Sequence, residues 1–445
     1  MASTLTFGVE TDLPAFRILI LGGGFGAMAA ARTLERILRP NEAEVTVVSR
    51  ENFSVFTPML PEVPSGNLEP RHVVTPIRAQ LRRSRFVLGE VAGVNFDERI
   101  VDVRHAIDGT QYRLGFEHVV FALGSVTSTF NLPGIAERSL ALKDLEDAER
   151  IRNHALACFE LADVTEDAEK RRRLLTFAIV GGGFTGVESA GEFTDFFRSI
   201  ARFYRHIERR EISVVLIEAG PRLLPDLTPA MGLYSAHALE RRGVRVLLNT
   251  PVAGADEDGL ELKDGERIAT STIIWTAGVK PSPLVASLPI GTGRGGAIVV
   301  RLDLSVAGYP GVWAIGDCAQ VPNPEGGWYP PTAQHAIREG PVVAHNIVSA
   351  IRGLPSKSFR YEALGMMASL GGRRGVAGLR GGRVLTGFLA WFLWRTYYLL
   401  RLPGLDRKVR VALDWTLGLI FPRDISELRL YSESAGRAPS KDAAQ

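Results

Sequence analysis

The chain has 445 residues, 46% hydrophobic and 23% charged, with a formal net charge of +3. That length accommodates two or three domains with sizeable cores, and so small a net charge argues against a nucleic-acid binder. The two cysteines, Cys158 and Cys318, form no C-x-x-C pair, zinc pattern or disulfide framework, which points to a reducing compartment.

Residues 1–16 carry neither a basic start nor a long apolar run, so no secretory signal is expected. An apolar strand, Ile18–Leu21, then enters the loop Gly22-Gly23-Gly24-Phe25-Gly26-Ala27 and a helical pattern over Phe25–Leu38. A strand follows at Val45–Val48. Alternation with turns over Arg85–Val103 predicts inserted antiparallel strands, and Val119–Leu123 predicts a further core strand. A helix is predicted over Leu145–Leu161. Strand Phe177–Val180 enters a second loop, Gly181-Gly182-Gly183-Phe184-Thr185-Gly186, and a helix over Phe184–Phe203. Strands Val214–Ile217, Val244–Leu248 and Ile273–Trp275, a helix over Tyr234–Arg242 and an antiparallel insertion at Val252–Ile268 complete this second α/β segment. Gly311–Asp317 reads as a strand ending in a glycine turn. Pro330-Pro331-Thr332 introduces a helix over Ala333–Arg352, with Thr332 as its N-cap. No stretch reaches 18 uncharged apolar residues, so no spanning helix is expected. Residues 436–445 read as a disordered tail.

The core Gly-Gly-Gly-Phe recurs after 159 residues. Each copy lies behind an apolar strand and ahead of a helix. Glycine permits the tight turn and lets backbone N–H groups approach a pyrophosphate at the positive end of a helix. Two such loops imply two dinucleotides held by one chain. Ala122-Leu-Gly124-Ser and Thr276-Ala-Gly278-Val stand at matching places behind the two loops, which supports an internal duplication. Glu218 ends the strand Val214–Ile217, where a carboxylate accepts hydrogen bonds from adenosine ribose hydroxyls and repels a 2′-phosphate, favouring NADH. The plainer reading is a solvated strand-end carboxylate. Eight histidines lack ligand spacing, and no metal is expected.

The paired loops, the Gly316-Asp317 turn and the duplication resemble the two-dinucleotide-binding flavoprotein fold over roughly Arg17 to Gly353. Within it, Phe56-Thr-Pro-Met-Leu-Pro-Glu-Val63, Gly183-Phe-Thr-Gly-Val-Glu188, Ala333-Gln334-His-Ala-Ile-Arg-Glu-Gly340 and the aromatic C-terminal segment resemble type II NADH:quinone oxidoreductases, the non-pumping, single-chain NADH dehydrogenases. The resemblance implies an α/β fold with two Rossmann-like domains, antiparallel insertions and a C-terminal amphipathic membrane-associating region. Its expected limits are 1–143 and 305–355 for an FAD-binding domain, 144–304 for an NADH-binding domain, and 356–435 for the membrane-associating or dimerisation region.

On the same resemblance, non-covalent FAD would be held by Gly22, Gly24, Phe25, Gly26, Ala27, Glu51, Gly124, Gly316, Asp317 and Ala333. Asp317 would meet the ribityl chain. The helix from Ala333 would point its positive end at the flavin ring and stabilise the reduced, anionic form. NADH would be held by Gly181, Gly183, Phe184, Gly186, Glu218 and Gly278. Glu188 is implied as the residue that contacts nicotinamide and relays protons, against a plain helix-dipole role. Gln334 is implied as a hydrogen-bond partner of a quinone carbonyl, against a structural hydrogen bond from a buried amide. Two departures stand out. Ser49 replaces the usual acidic residue at the end of the second strand, leaving Glu51 to reach the ribose. Arg338 occupies the place of a second glutamine.

The C-terminal segment Gly387–Leu400 is apolar and aromatic but interrupted by Arg395, and a second apolar run covers Val409–Phe421. Three of the six tryptophans fall at 391, 394 and 415 among basic residues. Tryptophan and tyrosine favour the headgroup level, and arginine pairs with anionic lipid. This composition suits interfacial helices and a peripheral site on the cytoplasmic face of the cell membrane. A homodimer interface is the alternative, and the two can coexist. The reaction expected is hydride transfer from NADH to flavin and then two electrons to a membrane quinone without pumping. The alternatives are a soluble NAD(P)H-dependent flavoprotein reductase serving another acceptor, and a nucleotide-sensing protein without turnover.

Overall fold

The computed structural model describes residues 16–363, 365–379 and 381–427. The expected tail at 436–445 and nearly all of the N-terminal stretch lie outside them. The chain divides into two compact units.

The first unit comprises residues up to Phe56, Val74–Ser128 and Val279–Leu364. Its seven-stranded sheet runs Val312–Ala314, His118–Phe121, Phe16–Leu21, Ala43–Ser49, Arg85–Asn95, Ile100–His105, Gln111–Gly115. The first five strands are parallel and the last two antiparallel. Ile18, Ile20, Val47, Val119 and Phe121 are wholly buried, which explains why these strands read as unbroken apolar runs rather than alternating ones. Helices Phe25–Ile37 and Ala333–Ile351 pack together at two glycines. A Cβ on Gly340 would lie 2.6 Å from the Gly26 carbonyl oxygen. Only bare backbone allows the two helices to meet this closely. Gly26 is the second residue of its helix and Gly340 the eighth of its own.

The second unit comprises Thr57–Val73, Thr129–Gly278 and the chain from Gly365 on. Its parallel sheet runs Ser139–Ala141, Thr272–Trp275, Thr176–Val180, Ser213–Ile217, Val244–Leu247. Strands Val252–Asp256, Gly259–Leu262 and Arg267–Ala269 form the antiparallel insertion. Helix Phe184–Ile200 is packed through Phe193, Phe196 and Phe197, with Phe197 and Phe177 ring centroids 4.1 Å apart. A hairpin pair, Gly365–Ser369, Gly375–Leu379 and Val384–Thr386, leads into helices Gly387–Arg401 and Leu405–Leu417.

These limits differ from the expected 143, 304 and 355. Strand Ser125–Thr127 pairs antiparallel with Val279–Pro281, so the chain leaves and re-enters the first unit at those two points. The C-terminal helices group with the unit that carries the second glycine loop. The helix after the second loop has 17 residues against 13 after the first, which lengthens the connection from Gly183 to Glu218.

Candidate functional site

The two loops have the same backbone conformation. Gly22 has φ +123° and Gly181 φ +113°, values that disfavour any L side chain. A Cβ on Gly22 would lie 2.1 Å from the Ala122 carbonyl oxygen, and one on Gly181 would lie 2.7 Å from Ala277 Cα. Each glycine N–H donates to the neighbouring strand, Gly22 to Val48 at 2.7 Å and Gly181 to Ile217 at 2.8 Å. Gly24 and Gly183 are the N-caps of their helices, without any side-chain cap. A Cβ on either would meet nothing within 4 Å. The space left open faces the uncapped N–H groups of Phe25, Gly26 and Ala27 in one loop and of Phe184 and its successors in the other. Each cradle fits a pyrophosphate. Gly186 lies against the Gly181 carbonyl oxygen, 1.9 Å from where its Cβ would be, closing the second turn.

The register identifies the counterpart of Glu218. Leu21 aligns with Val48, and Val180 with Ile217, so Ser49 and Glu218 stand opposite Gly22 and Gly181. Glu218 accepts from the backbone N–H groups of Gly182 and Gly220, each at 2.6 Å. Glu51, two residues past Ser49, is exposed and pairs with Arg50 at 3.4 Å. Gly278 is packed under the Phe130 ring.

In the first unit Gly124 and Gly316 take φ +66° and +70°. Asp317 accepts from the Ser125 hydroxyl at 2.6 Å. Gly316 N–H donates to Glu339 at 2.6 Å. Burial pushes the Glu339 carboxyl up to about 7, with the Gly316 bond pulling the other way. Ala333 opens its helix after Thr332. Thr332 makes no side-chain cap hydrogen bond; its hydroxyl meets His335 Nδ1 at 2.7 Å instead. Gln334, expected as a buried amide, is only half-buried. Tyr361 donates to its Oε1 at 3.0 Å. Arg338 donates to the Gln334 carbonyl at 2.8 Å and stacks 4.1 Å over the Tyr361 ring. The departure from a second glutamine thus builds an Arg–Tyr–Gln group.

In the second unit Glu188 is 7% exposed. Its Oε1 accepts from Ser369 N–H at 3.0 Å and Trp394 Nε1 at 2.9 Å. Burial raises its carboxyl to about 8; the two donors oppose the shift, and Glu62 and Glu192 add to it. A group poised there is a functional-site candidate. The thiols of Cys158 and Cys318 are buried and raised by burial, Cys318 to about 12, so both are inert.

The aromatic segment differs from its sequence reading. Trp394 and Trp415 are buried, not at a headgroup level. Trp415 donates to Glu62 at 2.8 Å. Arg395 lies 4.6 Å from the Trp391 ring and 4.3 Å from that of Trp415, a desolvated cation–π contact. The exposed apolar residues are others: Phe388, Leu389 and Phe392 on one helix, and Leu405, Val409, Leu413 and Leu417 on the next. The last four recur every fourth residue and form one stripe. Among the described residues no helix is long and apolar enough to cross a membrane.

Residues 16–340 match the model of the pyridine nucleotide-disulphide oxidoreductase family, and residues 364–424 match the NDH2 C-terminal domain. A type II NADH:quinone oxidoreductase of Mycobacterium tuberculosis is 32% identical over 422 residues, covering 92% of this chain and 89% of that protein. The chain belongs to the type II NADH:quinone oxidoreductase family. A probable NADH dehydrogenase of Dictyostelium discoideum is 31% identical, covering 92% and 91%. The solved structure of NDH2 from Plasmodium falciparum in complex with NADH is 22% identical, with a TM-score of 0.83 over 92% of this chain and 99% of that one. This likeness confirms the expected fold.

Sequence reasoning within this family missed Glu62, Glu192, Glu339 and Tyr361. Two carried a signal. Glu192 lies one helical turn after Glu188, and Glu62 is a lone carboxylate in the apolar run Met59–Val63.

Proposed function

We infer that this member of the type II family oxidises NADH and reduces a quinone, with FAD held non-covalently at the first loop and NADH at the second. The observation that carries the reading is the pair of matching open cradles at Gly24 and Gly183, each under an uncapped helix start. When bound, FAD supplies the two-electron chemistry that links hydride donor and quinone. The chain supplies position and electrostatics. Gly22, Gly24, Gly26 and the N–H groups of Phe25 and Ala27 would hold the FAD pyrophosphate; Gly124, Gly316, Asp317 and Ala333 would line the rest of its site, with Glu51 near its ribose. Gly181, Gly183, Phe184, Gly186 and Gly278 would hold NADH, and Glu218 would take the adenosine ribose hydroxyls. Gln334 would hydrogen-bond a quinone carbonyl, with Tyr361 orienting its amide. Glu188, kept protonated at neutral pH by burial, would contact the nicotinamide and relay a proton to the acceptor.

The exposed stripe at Leu405–Leu417, with Arg401, Lys408 and Arg410 around it, supports a peripheral position on an anionic lipid surface, and the net charge supports no nucleic-acid role. We place the enzyme on the cytoplasmic face, and the same apolar face suits a homodimer in detergent. The roles given to the units, FAD for the first and NADH for the second, rest on the family resemblance, since the two loops are alike in geometry.

Steady-state NADH oxidation against a quinone panel, with the flavin identified by absorbance, tests the reading. Quinone-dependent oxidation is expected. A colourless protein that flavin cannot reconstitute would sink it. Arg338 in place of a glutamine favours a second reading, a reductase of another acceptor; oxidation with artificial acceptors but no quinone would select it.

A further inference from the structure

The second unit contains three carboxyls with almost no access to water. Glu62 is 3% exposed, Glu188 7% and Glu192 5%. Glu188 and Glu192 stand one turn apart on helix Phe184–Ile200, and Glu62 ends the turn Thr57–Glu62 that packs beside it. Two guanidiniums answer them. Arg423 Nη2 lies 3.1 Å from Glu192 Oε2. Arg395 Nη2 lies 3.6 Å from Glu62 Oε2. The inventory is three acids against two bases, and Glu188 has only neutral donors, Ser369 N–H and Trp394 Nε1–H. Full ionisation would leave one uncompensated charge in a dry interior, which is too costly to persist. One proton brings the group to neutrality.

A second observation locates that proton's alternative seat. Glu62 Oε2 is crowded with donors: Asn67 Nδ2, Trp415 Nε1 and the Arg395 guanidinium. Glu62 Oε1 is buried and has no hydrogen-bond partner at all. An orphaned carboxylate oxygen is expensive, and protonation there removes its charge.

Resting on the functional reading of Glu188 above, we propose that Glu62 is a second proton-holding position coupled to Glu188, so that the three-carboxyl group retains one proton when Glu188 gives its own away, with Arg395 as the positioning residue. The proton balance is simple. When Glu188 O–H loses its proton to an acceptor, Glu188 becomes a carboxylate, and Glu62 Oε1 takes up one proton released by the acid form of the buffer, which is left as its conjugate base. The return step reverses both. The charges that face Glu62 are Arg395, Glu192 and Arg423; those that face Glu188 are Glu62 and Glu192, with the neutral Tyr398 phenol, raised further by burial, as the other titratable group beside it. Burial raises both Glu62 and Glu188, Arg395 draws Glu62 back down, and ionised Glu62 raises Glu188. Each ionisation therefore opposes the other.

Infrared titration of the full-length FAD-bound protein reads the carbonyl stretch of protonated carboxyls and needs no turnover. Two buried-carboxyl steps are expected. Glu62→Gln should remove one step and move the Glu188 step to lower pH; Glu188→Gln should move the Glu62 step likewise. Arg395→Gln, which keeps a planar group between Trp391 and Trp415, should move the Glu62 step to higher pH and serves if Glu62→Gln fails to fold. A Glu188 step unmoved in Glu62→Gln, or a Glu62 step unmoved in Arg395→Gln, overturns the coupling. NADH:quinone turnover of the same preparations separates the two readings: no quinone reduction with coupled titration intact would remove the functional reading, and uncoupled titration with normal turnover would remove only this one.

Discussion

Trp394 donates its indole N–H to Glu188 Oε1 at 2.9 Å. One residue comes from the aromatic C-terminal helix and the other from the helix that opens at the second glycine loop. The tail read as a membrane anchor thus also sets the electrostatics of a candidate proton donor. A hydrogen bond to a carboxylate favours the charged form. Trp394→Phe should therefore move the Glu188 carboxyl further above its ordinary range, and cost about 1 kcal/mol of stability for the lost bond. Infrared titration and urea unfolding check the two effects.

The raised Glu188 carboxyl makes stability depend on pH. In the folded protein it titrates at about 8 against an ordinary 4.5. Between those values the folded state holds a proton that the unfolded state lacks, so this group's contribution is fully present at low pH and is lost as pH rises towards 8. The slope is at most about 1.4 kcal/mol per pH unit for one proton. Glu188→Gln should flatten the fall in urea midpoint across that window. A profile identical to that of the parent protein would show that Glu188 does not titrate there.

Gly22 and Gly24 are two residues apart and should respond differently. Gly24 has an ordinary φ of −81° and open space where its Cβ would be. Gly24→Val should fold and fill the cradle, a clash of about 1–3 kcal/mol that lowers FAD affinity roughly 10- to 100-fold. Gly22→Ala would drive a methyl into the Ala122 carbonyl and should lower the unfolding midpoint of the apoprotein itself. Flavin absorbance per chain and circular dichroism distinguish the cases.

Gln334 and Tyr361 form a pair across 3.0 Å. Gln334→Ala should slow quinone reduction by about 10- to 100-fold, the effect of a hydrogen bond worth 1–3 kcal/mol, while NADH still bleaches the flavin at the parent rate. Tyr361→Phe should show a weaker effect on the same step. Rapid-mixing absorbance records the two half-reactions separately, and equal slowing of both would assign Gln334 a structural role.

Leu389 and Phe392 are exposed on the Gly387–Arg401 helix. Burying each in an interface is worth about 1.5–3 kcal/mol. Leu389→Asp with Phe392→Asp should weaken binding to anionic vesicles by about 100-fold or more and leave NADH oxidation with a water-soluble quinone unchanged. Vesicle sedimentation measures it, and undiminished binding would place the lipid contact elsewhere.

The amino-acid sequence by itself determined the two α/β segments, their glycine loops and the strand that ends at Glu218. These features depend on local rules: apolar runs make strands, and glycine occupies positions where backbone or ligand leaves no space for a Cβ. It also placed Gln334 at a helix start. Tertiary structure alone decided which aromatic residues face inward. Trp394, Arg395 and Trp415 read as headgroup residues because composition cannot tell a buried indole that donates to a carboxylate from one at a lipid surface. Their partners, Glu188 and Glu62, lie some 200 and 350 residues away in the chain. A carboxyl's proton affinity depends on water access and on charges brought close only by folding, which is why the three-carboxyl group could not be read from spacing.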